Sequence, residues 1–320
     1  MISVIVCTYG RAAALVDLFQ CLASQTYRDF EVLIIDGNGT NSPVTAAIQK
    51  LQPSASLSVR LIASPRGLTR QRNVGLREAR GEIIVFLDDD VSVDERFLSD
   101  TVTLLSRSDM QDVGGVTGYD VLNYPSPVSG KWRLRHWLGA IPSLKPGDAD
   151  RLGRAVPVSF LQPLSGSIDV GWLSGFCMIY RRGAIAGLFF DEHLPTYGGE
   201  DRDFSMRVAE HWRLVLCGDL RVRHHCTAQG RVSDVGRMFQ TAFGVGRRFR
   251  KYHQGWPDFL VIARSIVGDF LVDVLAFVTR PSRNSFLIIF ARIGGLFQGL
   301  SSRIGQVTVG SAHERAGIGS

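Results

Sequence analysis

The chain has 320 residues and 45% of them are hydrophobic, enough for the core of a large α/β domain with an appendage and too many for an intrinsically disordered chain. It carries 36 basic and 30 acidic residues, and the formal net charge of +6 suits phosphates, anionic lipids or nucleic acid alike. Its five cysteines are scattered without a Cys-x-x-Cys pair, so neither a disulfide framework nor a zinc site is expected, and reduced thiols in a cytosol fit best.

The first residues, MISVIVCTYGR, predict a β-strand and not an export signal, because they lack a basic leader, a long apolar run and a small-residue cleavage site. The longest apolar stretch, from Phe259 to Thr279, contains Arg264, Asp269 and Asp273, whose charges are costly at the centre of a bilayer. A membrane-spanning helix is therefore not expected. A helix that lies on a membrane surface stays open.

Apolar, β-rich runs alternate with helix-patterned segments along the first hundred residues. The predicted strands are ISVIVCT, FEVLIID, LSVRLIA and EIIVFLD, and the predicted helices lie near 13–24, 43–51, 69–79 and 95–106. Short apolar strands separated by amphipathic helices are typical of a mostly parallel, Rossmann-like sheet with helices on both faces. The sequence thus predicts an α/β fold, in which ligands collect beyond the carboxyl ends of the strands.

The middle of the chain combines further predicted strands with a long irregular stretch. VGGVTG, DVGWLSGFCMIYRR and LVLCGDLRVRHH are strand-like, whereas residues 123–169 are rich in Pro, Gly and Ser and predict a long loop. Beyond residue 230 a basic, aromatic-bearing helix at 237–253 precedes two apolar helical segments at 258–279 and 283–303. We therefore divide the chain into 1–226 and a helical C-terminal region at 227–320.

Polar residues follow three of the predicted strands, where each strand ends. They are Thr8, Tyr9 and Arg11 after the first strand, Asp36 after the second, and Asp88, Asp89 and Asp90 after the fourth. Because the carboxyl ends of parallel strands meet at one edge of a sheet, we expect these side chains to converge.

Three consecutive carboxylates at a strand end repel one another unless a cation lies among them. Their hard oxygen atoms suit Mg²⁺ or Mn²⁺, which proteins commonly bind through one or two carboxylates together with substrate phosphates. The alternative is an acidic cluster that caps the helix predicted to begin near Glu95.

Six motifs that contain polar residues occur in a fixed order along the chain. They are Asp36, the stretch 67–75 with Arg70, Arg72 and Asn73, the acidic triplet, Trp172–Gly175, Gly199–Asp201 and Val222–His224. In this order the sequence resembles glycosyltransferase family 2, inverting enzymes of the GT-A fold, and in particular the bacterial members that build cell-surface polysaccharides or glycolipids. The resemblance covers about residues 2–226, which would be the catalytic domain.

The resemblance implies a site for a nucleotide-activated sugar. The implied donor-binding residues are Thr8, Tyr9, Arg11, Asp36, Arg70, Arg72, Asn73, Asp88 and Asp89. Asp36 would accept a hydrogen bond from the base, although the acidic residue that usually follows it in the family is Gly37 here. Arg70 and Arg72 would contact diphosphate or ribose near a helix N-terminus, and a solvated helix face is the alternative.

The resemblance also implies metal-assisted catalysis. Asp88 and Asp90 match the Asp-x-Asp signature and, with His224, would hold Mn²⁺ or Mg²⁺ on the diphosphate. Asp201 would be the base that deprotonates the acceptor hydroxyl, and Glu200 would position the acceptor or the helix. Alternatively, these two carboxylates complement the dipole at the start of a helix.

The acceptor side of the implied site consists of Trp172, Gly175 and Glu200. The implied reaction is one in-line displacement with inversion, which moves a single sugar to a hydroxyl of a glycan or a lipid-linked glycan. The Gln-x-x-Arg-Trp motif of many processive members is absent from the sequence. A single transfer is therefore expected rather than chain polymerisation.

The basic helix beyond residue 230 raises a membrane hypothesis. Arg247, Arg248, Arg250 and Lys251 lie beside apolar segments and would attract anionic lipid headgroups, which would keep a cytoplasmic enzyme on the inner face of the cell membrane. The alternative is a helical subdomain that packs on the catalytic domain or forms a homo-oligomer.

Three other functions stay open at the level of sequence. A nucleotidyltransferase or pyrophosphorylase would normally have a glycine-rich phosphate loop after the first strand, where CTYGR has one glycine. A catalytically silent protein that binds sugar nucleotides would not need Asp201 or the outer triplet carboxylates. Nucleic acid is not an expected partner, because the basic residues are dispersed and form no recognised motif.

Overall fold

A computed structural model describes residues 1–39, 42–51, 57–227 and 232–303. The strands within these ranges are β1 Ile2–Thr8, β2 Phe30–Asp36, β3 Ser58–Ala63, β4 Ile83–Asp88, β5 Val91–Val93, β6 Val113–Asp120, β7 Ser167–Asp169, β8 Cys177–Arg181 and β9 Arg213–His224. The α-helices are α1 Ala12–Ala23, α2 Pro43–Leu51, α3 Leu68–Glu78, α4 Phe97–Ser106, α5 Gly130–Trp137, α6 Glu200–Ala209, α7 Asp234–Tyr252, α8 Trp256–Thr279 and α9 Arg283–Ser301.

The strands form one sheet in the order β3-β2-β1-β4-β8-β6-β9-β5, and β7 pairs with β9. The neighbours β3, β2, β1 and β4 are parallel, and their register places Thr8 opposite Asp36 and Cys7 opposite Asp88. The α/β class and the convergence of the strand ends are therefore confirmed.

The other half of the sheet is mixed. β8 is antiparallel to both β4 and β6, whereas β6 and β9 are parallel. A continuous apolar run such as CMIYR marks a strand that is buried on both faces but carries no information about its direction. Parallel pairing therefore occurs among the first four strands and between β6 and β9, and the other pairs are antiparallel.

Hydrophobic clusters cover both faces of the sheet. Alternate residues of β1 point to opposite sides, so that Val4 packs with α1 residues such as Leu18 in one cluster, while Ile5 belongs to the cluster that contains Phe204 of α6. Each fully buried side chain of this size contributes roughly 1.5–3 kcal/mol to the free energy of unfolding. The double burial explains why these strands are largely apolar.

Two segments differ from the predictions in the middle of the chain. The stretch 123–169, predicted as a loop, contains α5 and β7, and in the strand-like run 169–182 only Asp169 and Cys177–Arg181 are in strands. Residues 171–175 leave the sheet because their backbone hydrogen-bonds elsewhere: the N–H of Gly171 donates to Gly147 O at 2.8 Å, and that of Leu173 donates to Ser205 Oγ at 3.0 Å.

The C-terminal helices pack closely on one another and on α6. A Cβ atom at Gly295 of α9 would collide with the carbonyl oxygen of Phe239 in α7, and one at Gly244 of α7 would collide with that of Gly198, just before α6. Glycine at these contacts lets the backbones touch. The division of the chain at residue 226 stays a prediction.

Of the four basic residues of α7 that suggested membrane binding, three turn inward and only Arg250 is exposed. Arg247 and Arg248 are 3% and 1% exposed, Arg247 donates to both carboxylate oxygens of Asp191, and Lys251 pairs with Asp203 at 3.0 Å. The part of the membrane hypothesis that rests on these residues is therefore wrong. No helix within the described ranges is both long and apolar enough to span a bilayer.

Candidate active site

A cleft of about 860 Å³ lies at the carboxyl ends of the strands. Predicted residues that line it are Thr8, Tyr9, Arg11, Arg72, Asp88, Asp89, Asp90, Trp172, Gly175, Glu200, Asp201 and His224. The fold therefore brings together residues that are up to 216 positions apart in the sequence, from 8 to 224.

Three of these side chains form a candidate metal centre. Each of Asp88, Asp90 and His224 offers one ligand atom, and these atoms lie within 4.8 Å of one another. The turn after β4 leads into β5, which pairs with the end of β9 so that Val91 lies opposite His224. This pairing, which the local sequence pattern does not reveal, brings the histidine to the carboxylates.

The two carboxylate oxygens of Asp90 have different surroundings. Its Oδ2 accepts hydrogen bonds from Thr227 N at 2.9 Å and Thr227 Oγ1 at 2.8 Å, while its buried Oδ1 has no hydrogen-bond partner among the described residues and lies 3.3 Å from His224 Nε2. Burial raises the pKa of Asp90, but His224 and Thr227 outweigh it and hold the pKa below its usual range. Asp90 is thus an ionised carboxylate whose Oδ1 faces the His224 ring alone among the described residues, so a cation that displaces the histidine proton could bind it.

His224 lies in an acidic environment. Burial lowers its pKa, but Asp90, Asp88 and Asp120 together raise it above the ordinary value. A histidine must be neutral to bind a metal, so a cation in this position would displace the proton. The ring stacks on Phe176 with centroids 5.1 Å apart, which fixes its plane.

Asp89 connects the first and fourth strand ends. Its Oδ2 accepts from Thr8 Oγ1 at 2.8 Å, and its Oδ1 accepts from Arg11 Nη1 at 3.0 Å. Burial raises the pKa of Asp89 to about 6, against the hydrogen bond from Thr8 and the charge of Arg11. Asp89 therefore links the two strand ends at the edge of the cleft. Its contact with the sugar donor stays a prediction.

Asp36 is buried at the same sheet edge, directly opposite Thr8. Its Oδ1 accepts from the N–H of Asn38 at 2.8 Å and from its side-chain amide at 2.6 Å. Its buried Oδ2 accepts no hydrogen bond from the part of the chain that the structure describes. This free acceptor suits a ring N–H of a nucleotide base, which stays a prediction because Asp36 does not line the main cleft.

Two predicted donor residues lie outside the cleft. Arg70 is half exposed and lies 3.7 Å from Glu192, and Asn73 is buried, where its amide exchanges hydrogen bonds with the backbone of Phe190. On α3, positions 70 and 73 share one face, whereas Arg72 faces the cleft. The prediction of donor binding by Arg70 and Asn73 conflicts with this geometry.

Arg72 is the centre of a buried ionic network. Its guanidinium lies 3.1 Å from Glu200 and 3.6 Å from Asp88, and it donates to Gly175 O at 2.9 Å. Burial and the charge of Asp201 raise the pKa of Glu200 to about 8, although Arg72 opposes the shift. Arg72 thereby links a candidate metal ligand to the start of α6 and is committed to protein groups.

Asp201 lies in the first turn of α6 and faces open space. Its Oδ1 accepts from the N–H of Arg202 at 2.8 Å and its Oδ2 from the N–H of Gly175 at 3.2 Å, so both oxygens are oriented. Asp201 and Trp172 line both the cleft and an adjoining pocket of about 410 Å³. The two cavities meet at Asp201.

Other residues of the cleft were not predicted. Asp120 ends β6 and lies 4.0 Å from His224 Nδ1, Arg66 stacks over the exposed ring of Tyr9 at 4.3 Å, and Tyr197 lines both cavities. Asp120 could have been found, because it follows a buried strand as Asp36 and Asp88 do. Arg66 and Tyr197 lie in loops without a distinguishing pattern.

The sequence profile named Glycosyl transferase family 2 matches residues 3–189, more than half of the chain. The chain belongs to glycosyltransferase family 2. The uncharacterized glycosyltransferase YwdF of Bacillus subtilis is 30% identical over 89 residues, which are 28% of this chain and 32% of that protein. The segment that matches thus spans about a third of this curated relative.

Solved structures of glycosyltransferases share the architecture. The mannosyltransferase PcManGT of Pyrobaculum calidifontis, in complex with GDP-Man and Mn²⁺, has a TM-score of 0.57 at 17% identity and covers 93% of this chain and 86% of its own. TarS 1-349 of S. aureus, in complex with UDP-GlcNAc, has a TM-score of 0.57 at 18% identity, with coverages of 93% and 81%. These likenesses confirm the fold that the family resemblance implied.

Proposed function

We propose that the chain is an inverting glycosyltransferase that moves a single sugar from a nucleoside-diphosphate sugar to a hydroxyl acceptor with the help of Mn²⁺ or Mg²⁺. One observation carries the proposal: the cleft contains both a ligand set for a divalent cation and, where it opens into a second pocket, the oriented carboxylate of Asp201. The nucleotide sugars and Mn²⁺ named for similar structures support this choice of donor and metal.

The residues present fit a divalent cation. Asp90 Oδ1 is buried without a hydrogen-bond partner among the described residues, and Asp88 and His224 offer atoms at the same point. These three side chains would hold Mn²⁺ or Mg²⁺, which neutralises charge on the leaving diphosphate when it is bound. Hard carboxylate oxygens with one imidazole suit either ion.

Asp201 would act as the general base. The backbone N–H groups of Gly175 and Arg202 orient its carboxylate, and the pocket beyond it gives an acceptor hydroxyl room to approach. Removal of the hydroxyl proton lets the oxygen attack the anomeric carbon from the side opposite the diphosphate, so the configuration inverts. Glu200 and Arg72 hold α6 in register with Asp88 and act as positioning residues.

The donor is tested by a screen of nucleotide sugars for thermal stabilisation and hydrolysis, each with Mn²⁺ and with EDTA. At a concentration 100 times Kd, a donor should stabilise the fold by about 2.7 kcal/mol, and only when metal is present. The matched control is the corresponding free sugar. Failure of every nucleotide sugar to stabilise the protein, or equal stabilisation in EDTA, would contradict the proposal.

We also propose that the acceptor is lipid-linked and that the outer face of α8 and α9 binds a cytoplasmic membrane surface. The α8–α9 face consists of the exposed apolar side chains Trp256, Phe259, Leu260, Val267, Phe270, Leu271, Leu275, Val278, Phe286, Leu287, Phe290, Ile293 and Phe297. So many exposed apolar side chains on two helices that contact each other are typical of an interaction site.

The charges of this region favour an anionic bilayer as the occupant. Between residues 256 and 301 the exposed charged side chains are Arg264, Arg280 and Arg283, whereas Asp258 and Asp269 are buried in ion pairs. Anionic headgroups complement this arrangement, whereas a second copy of the chain would bring the same positive charges together. We therefore favour a membrane over a homo-oligomer.

A flotation assay distinguishes these partners. The protein should float with vesicles that contain phosphatidylglycerol, and Phe290→Glu with Phe297→Glu should reduce the bound fraction at least tenfold, because each buried aromatic side chain contributes roughly 1.5–3 kcal/mol. Leu144→Glu, at an exposed apolar position in a loop, is the control. If the protein forms a stable dimer and does not float with the vesicles, the proposed membrane binding is wrong.

A further inference from the structure

The pocket beyond Asp201 lies between the catalytic half and the C-terminal helices. Its volume is about 410 Å³, and aromatic side chains of Trp132, Trp172 and Tyr197 line it. The charged side chains in its lining are Glu200, Asp201 and Asp269 together with Arg135, Arg154, Arg202, Arg237 and Arg292. Five guanidinium groups around one small pocket are unusual unless most of them have carboxylate partners.

Four of the five arginines have such partners. Arg135 and Arg292 share Asp269, at 2.6 and 3.1 Å. Arg154 pairs with Asp150 at 2.7 Å, and Arg237 pairs with Asp234 at 2.8 Å. These ion pairs balance the charges of the four arginines, so no ligand is needed to explain their presence in the pocket wall.

Arg202 differs from the other four arginines. It forms no ion pair with any residue of the described ranges, and its guanidinium donates one long hydrogen bond, to Gly153 O at 3.5 Å. It follows Asp201 directly in the sequence and lines the same pocket. Its charge is therefore available beside the proposed base.

A second arginine lies behind the pocket wall. Arg248 is 1% exposed, its Nη1 donates to the carbonyl oxygens of Gly198 and Gly199, and its Nε and Nη2 have no hydrogen-bond partner in the described residues. A Cβ atom on Gly199 would come within 2.6 Å of Arg202 Nη2 and 2.7 Å of Arg248 Nη1. The two guanidinium groups therefore meet at this glycine.

The neighbouring carboxylate of Asp203 is already paired with other groups and does not neutralise these two arginines. Asp203 is buried and already accepts from Lys251, Arg207 and Tyr252. Burial and the charge of Arg202 lower the pKa of Arg248 to about 10. Two adjacent cations with unused donors favour an anion in the pocket that Arg202 lines.

We propose that this pocket binds an anionic oxyacid group of the acceptor, a phosphate or a sugar carboxylate, with Arg202 as its direct ligand and the charge of Arg248 behind it. The inference rests on the proposed function, because the acceptor hydroxyl must reach Asp201 from this side. Trp132, Trp172 and Tyr197 provide flat surfaces for the adjoining sugar rings. A lipid-linked acceptor would supply a phosphate, and an acidic glycan would supply a carboxylate.

Binding of methyl phosphate and of methyl glucuronide to the full chain, each measured by NMR titration in EDTA, tests the proposal and separates the two sources. The wild type should bind one of them, and Arg202→Gln should weaken that binding about 10- to 100-fold, as expected for a charge-assisted hydrogen bond. Arg96→Gln, at an exposed position on the surface, is the matched control and should bind like the wild type. An unchanged melting temperature shows that the Arg202 variant is folded.

Three results would overturn the inference. The first is that the wild type binds neither probe. The second is that Arg202→Gln binds the probe as tightly as the wild type. The third is that the probe does not compete with the acceptor in a transfer assay. The outcome of the donor screen is independent of this titration, because donor binding is expected only with Mn²⁺, whereas the titration is carried out in EDTA. A donor that stabilises the protein while no anion binds would therefore refute the acceptor inference and leave the proposed transfer intact.

Discussion

Replacement of Asp201 by asparagine is expected to slow sugar transfer roughly 10²–10⁴-fold while metal-dependent donor binding persists, because the amide cannot take the acceptor proton. Asparagine keeps the size of the side chain, and its one oxygen can still accept from Gly175 or from Arg202. Transfer is measured as release of nucleoside diphosphate with saturating acceptor, and donor binding is measured by calorimetry.

The control for this variant lies at the other end of the same helix. Glu210→Gln removes an exposed carboxylate at the end of α6 and should leave transfer unchanged. Wild-type turnover by Asp201→Asn would remove Asp201 from the base role. A loss of donor binding instead would place this carboxylate on the donor.

Replacement of Asp90 by asparagine is expected to weaken Mn²⁺ binding, and with it metal-dependent donor binding, at least roughly 100-fold. Even groups that only orient a ligand typically contribute 10–100-fold to metal affinity, and Asp90 is the carboxylate with a free buried oxygen. Asparagine can still accept from Thr227, so that residue keeps a partner. Mn²⁺ binding is measured by electron paramagnetic resonance.

Asp94→Asn is the matched control for Asp90. This carboxylate lies just after β5 and pairs with Arg223 on the surface, at 2.6 Å, outside the metal group. It should bind Mn²⁺ and donor like the wild type. If Asp90→Asn also does so, the centre formed by Asp88, Asp90 and His224 is not the metal site.

The first half of the fold was predictable because its local pattern agrees with its tertiary structure. Strands β1 to β4 are short apolar runs with amphipathic helices between them, and each falls within one or two residues of its predicted position. Helix α5 was missed because it has no buried residues and therefore no apolar periodicity. Strand β5 has three residues, too few for any pattern.

The candidate site was predictable as a set of residues but not as a geometry. The resemblance pointed to Asp88, Asp90 and His224, and the pairing of β5 with β9 explains why they meet. Arg70 and Asn73 lie outside the cleft, because a motif does not show which face of a helix points to it.

The basic helix α7 shows a second limit of sequence patterns. Arg247 and Lys251 resemble a membrane-binding cluster, but their partners Asp191 and Asp203 lie about fifty residues earlier in the chain. Ion pairs over such distances in sequence become visible only in the folded chain. The apolar side chains on the α8–α9 face, by contrast, are exposed and are not covered by any described residue. The membrane hypothesis therefore now rests on this face.

The most direct measurement is the anomalous scattering of Mn²⁺ in crystals soaked with MnCl₂ and the nucleoside diphosphate that the donor screen selects. One strong peak is expected within coordination distance of Asp88, Asp90 and His224, next to the diphosphate, with Asp201 across the cleft. A diphosphate bound in the cleft without a metal peak at Asp88, Asp90 and His224 would contradict the proposed metal site.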